Sequence, residues 1–172
     1  MRKKSVAVLD IRSSEVTAVV GERGVNNTFI IKSKYSCAYE GYAEGKLIDE
    51  DSFLSAVGDV VKSTVGAMGG IKSFYVGIPG EFIRAAVTDK VISFTSVKKI
   101  GEKDCRYLAA MAAPKDAEGF RTIRHSSLYY VLSDKRKIID PVGTLSDSLH
   151  GKFCFYQCDN YFIEMLLRAF KT

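Results

Sequence analysis

Apolar positions in the first half of the chain recur first with period two and then at helical spacing. Two β-branched runs, Ser5–Asp10 and Glu15–Glu22, flank the polar link Asp10-Ile11-Arg12-Ser13-Ser14, a pattern that predicts two strands and a tight return. Arg23-Gly24-Val25-Asn26-Asn27 supplies turn chemistry, because Gly and Asn tolerate positive φ. A third strand is expected from Thr28 to about Cys37, with Phe29, Ile31 and Cys37 facing one way. A glycine-bearing loop, Gly41 to Asp49, leads to a helix that Asp49 caps and that runs to about Met68. Leu54, Val57, Val61, Val65 and Met68 form its expected apolar stripe, and Gly69-Gly70 ends it. Ser73–Ile78 reads as a short buried strand closed by Pro79-Gly80.

The second half has a different rhythm. Ala85–Phe94 predicts a strand, and Gly101–Ala113 a helix with Cys105, Leu108, Ala109 and Ala112 inward, stopped by Pro114. Thr122–Leu132 and Leu149–Gln157 predict two more strands, separated by a turn at Asp134-Lys135-Arg136 and a rigid bend at Asp140-Pro141-Val142-Gly143. A last helix starts near Asp159 or Asn160, with Ile163, Leu166, Leu167 and Phe170 at i, i+3, i+4 and i+7. The expected fold class is α/β (α+β). A partial ribonuclease H-like lobe (three-strand meander, helix, strand) covers 1–79, a small strand–helix–strand–strand domain covers 80–160, and a returning helix covers 161–172.

Composition narrows the function classes. At 172 residues, 47% hydrophobic and 26% charged, the chain can bury a sizeable core. The net charge of +5 comes from scattered clusters, Arg2-Lys3-Lys4, Lys98-Lys99 and Lys135-Arg136-Lys137, with no helical stripe of cations and aromatics. Nucleic acid is therefore not an expected partner. No apolar run is long enough to insert in a membrane, and Asp10 and Arg12 interrupt the run after the basic N-terminus too early for a signal peptide. Cys154 and Cys158, four apart in one strand, are separated by about 13 Å, too far for a disulfide. With two histidines and no C-x-x-C pair, free thiols in a reducing compartment are expected and a zinc site is not.

Four segments, in order, resemble the N-terminal part of the FtsA family of bacterial cell-division proteins, which belongs to the actin-like ATPase superfamily. They are Leu9-Asp10-Ile11-Arg12-Ser13-Ser14-Glu15-Val16, Gly41 through Glu50, Tyr75-Val76-Gly77-Ile78-Pro79-Gly80, and Asp140-Pro141-Val142-Gly143. The resemblance implies an actin-like lobe whose first hairpin approaches a nucleotide phosphate, followed by an inserted domain that contacts neighbouring protomers and other division proteins. It implies a cytoplasmic protein at the septum, held at the inner face of the cell membrane through partners or a C-terminal region. Because the chain stops at Thr172, the second phosphate loop, the adenosine pocket, the subdomain for the tubulin-like ring protein and the membrane helix are expected to be missing. ATP and magnesium are thus expected of a full-length relative and no cofactor of this chain.

The resemblance makes Asp10, Arg12, Ser13 and Ser14 the candidate phosphate-binding residues. The family has Gly where Arg12 stands. Glycine lets backbone amides approach a phosphate, whereas arginine adds bulk and charge. Asp10 holding a metal-bound water and Asp10 capping a turn both remain open, with the turn role favoured. His125 is expected at a surface or strand edge. Cys105 lies beside Lys103 and Arg106, which would lower the pKa of an exposed thiol, but core packing is the favoured role. Tyr129 and Tyr130 are expected on opposite faces of one strand. Tyr130, Phe162 and Met165 are the candidate protein-contact residues, the last two extending apolar surface beyond the final helix's stripe. The expected function is that of a non-enzymatic division adaptor acting through other proteins and copies of itself, as a filament or dimer. The alternatives are an ATP-binding or ATP-hydrolysing member of the actin-like superfamily and a PilM-type pilus-assembly adaptor.

Overall fold

A computed structural model describes residues 5–68 and 70–171, so the expected helix stop at Gly69 lies outside the described residues. The chain is mixed α/β and divides into two compact units, one formed by residues up to Ile83 with those from Asn160 on, the other by Arg84–Asp159. Among the described residues no helix is long and apolar enough to cross a membrane.

In the first unit, β1 (Ser5–Ile11), β2 (Glu15–Arg23) and β3 (Phe29–Ala38) form the expected antiparallel meander. β6 (Phe74–Gly77) adds in parallel beside β1, giving the order β3-β2-β1-β6. The loop expected over 41–49 folds into a ribbon of β4 (Tyr42–Ala43) and β5 (Lys46–Leu47). Two helices, α1 (Glu50–Ala67) and α3 (Asn160–Ala169), complete the unit and pack on each other. Ala7, Leu9 and Ile11 of β1 and Val16, Ala18 and Val20 of β2 alternate onto one buried face. On the opposite face, Tyr75, Val8 and Val19 form a row across three strands, and Tyr75 is 71% exposed.

Three details depart from the sequence pattern. A register shift between Val20 and Gly21 leaves Lys32 as an extra residue on β3. The bulge reverses the alternation, so Phe29 and Ile31 share a face with Gly21 while Cys37 pairs with Val16 on the buried side. Phe29 lies across Gly21, where a Cβ would sit 2.0 Å from its ring. The buried stripe of α1 is Phe53, Ala56, Val57, Val60 and Thr64, one position round from the expected one; Val65 is exposed. Phe53, with no solvent exposure, is the largest side chain of this stripe. β6 is an edge strand with alternating exposure rather than a buried one.

The N-cap expectation holds in detail. Asp49 accepts a hydrogen bond from the Ser52 amide at 2.9 Å, satisfying a donor that the first turn leaves unpaired. Asp49→Ala is expected to lower stability by about 1 kcal/mol, read as a shift of the urea midpoint.

In the second unit, β7 (Ile83–Lys99), β10 (Leu145–Asp159), β8 (Phe120–Leu132) and β9 (Lys137–Ile138) lie in that order. The strands run longer than their apolar cores suggested, because backbone pairing continues through polar residues. α2 (Glu102–Ala112) covers one face, burying Leu108, Ala109 and Ala112 against Tyr130, Leu132, Leu149 and Phe153. Gly151 permits this approach, since a Cβ there would meet Leu108 and Phe153 at under 3 Å. The 140–143 bend is built as expected. Asp140 Oδ1 accepts from the Val142 amide at 3.0 Å, and Gly143 takes φ +89°.

Candidate functional site

The hairpin link between β1 and β2 brings together the four residues that the sequence singled out as a phosphate site. Asp10 lies at the C-terminal end of β1, directly beside Gly77 at the end of parallel β6. Open α/β sheets bind ligands beyond such strand ends. Gly77 keeps the approach clear, because a Cβ there would stand 3.3 Å from Asp10 Oδ1. Ser13 and Ser14 are exposed in the turn, which the Arg12 amide closes by donating to the Glu15 carbonyl at 2.9 Å.

The charge distribution of this link is internally compensated. Arg12 Nε donates to Asp10 Oδ2 at 2.8 Å, and this hydrogen bond and the carboxylate's charge raise the arginine's pKa. The carboxylate that would orient a cation-bound water is thus held by a cation of the same hairpin. The backbone is engaged as well. Tyr39 Oη donates to the Arg12 carbonyl at 2.6 Å, and the Tyr39 amide donates to the Ser14 carbonyl at 3.0 Å. Burial pushes the Tyr39 phenol up to about 12, so it remains a donor throughout the physiological range. Gly41, at φ +91°, sits so close to the link that a Cβ would fall 2.2 Å from the Ser13 carbonyl oxygen. Tyr39 is the residue that sequence reasoning passed over here, and Gly41 enters it only as part of the loop leading to α1. Neither was tied to the Asp10 link, because their role depends on the chain folding back over the hairpin.

The three expected protein-contact residues are corrected. Phe162 is fully buried, Met165 is 2% exposed and Tyr130 is 5% exposed. Each faces the core of its own unit, so none presents contact surface. On α3 two apolar stripes compete. The chain buries Phe162, Met165, Leu166 and Ala169, leaves Leu167 exposed, and sets Phe170 at the margin, 37% exposed with its ring 5.7 Å from that of Phe74, because Phe162 completes an aromatic series. Its ring stacks on Phe82 at 4.1 Å and lies 5.9 Å from Phe53. Phe53 in turn meets Tyr39 edge-on at 5.5 Å. Tyr129 and Tyr130 do take opposite faces, with Tyr129 the outward one.

Elsewhere in the second unit, a pocket of about 330 Å³ lies between α2, β8 and the 139–142 bend, lined by Cys105, Arg106, Ser127, Tyr130 and Asp140 among others. Burial raises the Cys105 thiol pKa, with the nearby Asp104 and Asp140 carboxylates adding to the rise. The thiol is therefore suited to packing rather than to attack, despite its cationic sequence neighbours. His125 is exposed on its strand, its ring 5.4 Å from that of Phe155. All four cysteines are free, and Cys154 and Cys158 are buried in β10. No group of three or more His, Cys, Asp or Glu able to hold a metal occurs among the described residues. No protein-family model matches this sequence, and no curated protein matches it.

Proposed function

We propose that the chain is an adaptor of FtsA type, with its first unit an actin-like lobe and its second a docking module, acting through protein contacts without turning over nucleotide. The observation that carries this reading is the 2.8 Å Arg12–Asp10 pair, which places a guanidinium on the one carboxylate of the hairpin's link. The exposed Tyr75 and Val8 support it further. Parallel strands such as β1 and β6 are ordinarily covered on both faces, and here the second face is left for other protein to cover. Other division proteins and further copies of the chain are the proposed partners, in the cytoplasm beneath the membrane.

The second reading, ATP binding by the actin-like hairpin, draws on the position of Asp10 and Gly77 at two adjacent parallel strand ends. A titration with ATP and magnesium separates the two. The adaptor reading expects no saturable heat in the micromolar range. Magnesium-dependent micromolar binding that disappears in Asp10→Ala overturns it.

A further inference from the structure

Within the second unit, α2 packs on one face of the sheet and no described helix of the unit packs on the other, where Cys154 is buried while its strand neighbours His150 and Lys152 are half-exposed. Tyr130, Leu132, Leu149 and Phe153 go to the α2 side, so the strand neighbours that alternate with them go to the other. The register sets Lys152 opposite Tyr129, His150 opposite Val131, Tyr156 opposite Arg124, and Lys137 opposite Val131 from the far side. Lys137 Nζ stands 3.7 Å from the centre of the Tyr129 ring, and Lys152 Nζ stands 6.0 Å from it. This half of the face is cationic.

The other half, along β7, is aliphatic. Thr88 Oγ1 donates to the Ala112 carbonyl of α2 at 2.6 Å, so Val87, Asp89 and Val91 fall on the side away from α2. Val87 and Val91 are more than half exposed. Asp89 lies 3.0 Å from His150 Nε2 and is the single carboxylate that the described strands place on this face, against Arg121, Arg124, Lys137 and Lys152.

We infer that this face docks an acidic amphipathic segment of a partner protein, its aliphatic side chains over Val87 and Val91 and its carboxylates against Arg124, Lys137 and Lys152. Complementary charge of this kind sets partner choice and encounter rate. A phosphate backbone has no use for the valine strip, and the Lys137 ammonium occupies the ring face on which a nucleobase would stack. A second copy would set two cationic faces against each other. The inference rests on the adaptor reading and names the partner chemistry of its docking module.

The test uses the full chain and a fluorescein-labelled peptide of glutamate and leucine, followed by anisotropy. Versions with glutamine or lysine for glutamate, and labelled oligothymidylate, serve as comparison probes. The Lys137→Glu/Lys152→Glu variant is expected to bind the acidic peptide at least about tenfold more weakly, and Lys137→Gln/Lys152→Gln to lose a smaller part. Lys62→Glu/Lys103→Glu makes the same change in net charge at exposed positions outside this face and is expected to leave affinity within about twofold. Far-UV circular dichroism checks that each variant is folded. The inference is overturned by any of four results: no binding of the acidic peptide, equal loss in both charge-reversed variants, equal affinity for the glutamine peptide, or tighter binding of oligothymidylate that the Lys137/Lys152 changes abolish. ATP binding through Asp10 would remove the nucleotide-free adaptor reading and leave a positive peptide result standing. A failed peptide titration removes this surface and leaves the hairpin result unchanged.

Discussion

Phe162→Ala is expected to lower the unfolding free energy by about 3 to 5 kcal/mol, among the largest effects a single truncation produces. The side chain has no solvent exposure, stacks on Phe82 at 4.1 Å and lies 5.9 Å from Phe53, so its removal leaves a cavity walled by rings that cannot collapse into it. Because Phe162 returns to the first unit from a distant part of the sequence, the loss also loosens the docking of α3 on α1. Leu167→Ala supplies the contrast. Leu167 is 54% exposed on the same helix, and its truncation is expected to cost less than about 1 kcal/mol. Equal urea midpoints for the two variants would mean that α3 buries the Ile163–Phe170 stripe instead.

Gly41→Ala carries the second large effect, expected at about 2 to 4 kcal/mol. Two penalties combine at this position. The residue takes φ +91°, where L side chains are strained, and the new Cβ would fall 2.2 Å from the Ser13 carbonyl oxygen. A backbone oxygen cannot rotate away as a side chain can, so the β1–β2 link itself must move. Gly45→Ala isolates the first penalty, since Gly45 takes φ +73° with nothing within 4 Å of its ideal Cβ. Its expected cost is about 1 to 2 kcal/mol. If the two glycines respond alike in chemical denaturation, the close packing of Gly41 on the hairpin is disproved. The same pair tests the site, because displacing the link should open the Tyr39 phenol to water and so lower a pKa that burial raises to about 12, read by ultraviolet titration.

What the sequence determined by itself was local. The meander, the Asp49 cap, the inward face of α2 at Leu108, Ala109 and Ala112, and the 140–143 bend each depend on contacts a few residues apart, and each was legible. Asp10, Arg12, Ser13 and Ser14 were legible as one cluster for the same reason, since four residues in a single turn have no choice but to be neighbours. Tertiary structure decided the rest. On α1 and α3 more than one stripe is apolar, and helical spacing cannot rank them; the partners Phe82 and Phe53 select Phe162 over Phe170. The bulge at Lys32 reverses the alternation of β3, and only the pairing with β2 reveals it. Tyr129 and Tyr130 are adjacent and chemically alike, and the side on which α2 packs makes one core and the other surface. Period and capping follow from nearest neighbours, whereas the choice between two apolar faces follows from what the chain brings against them from far away.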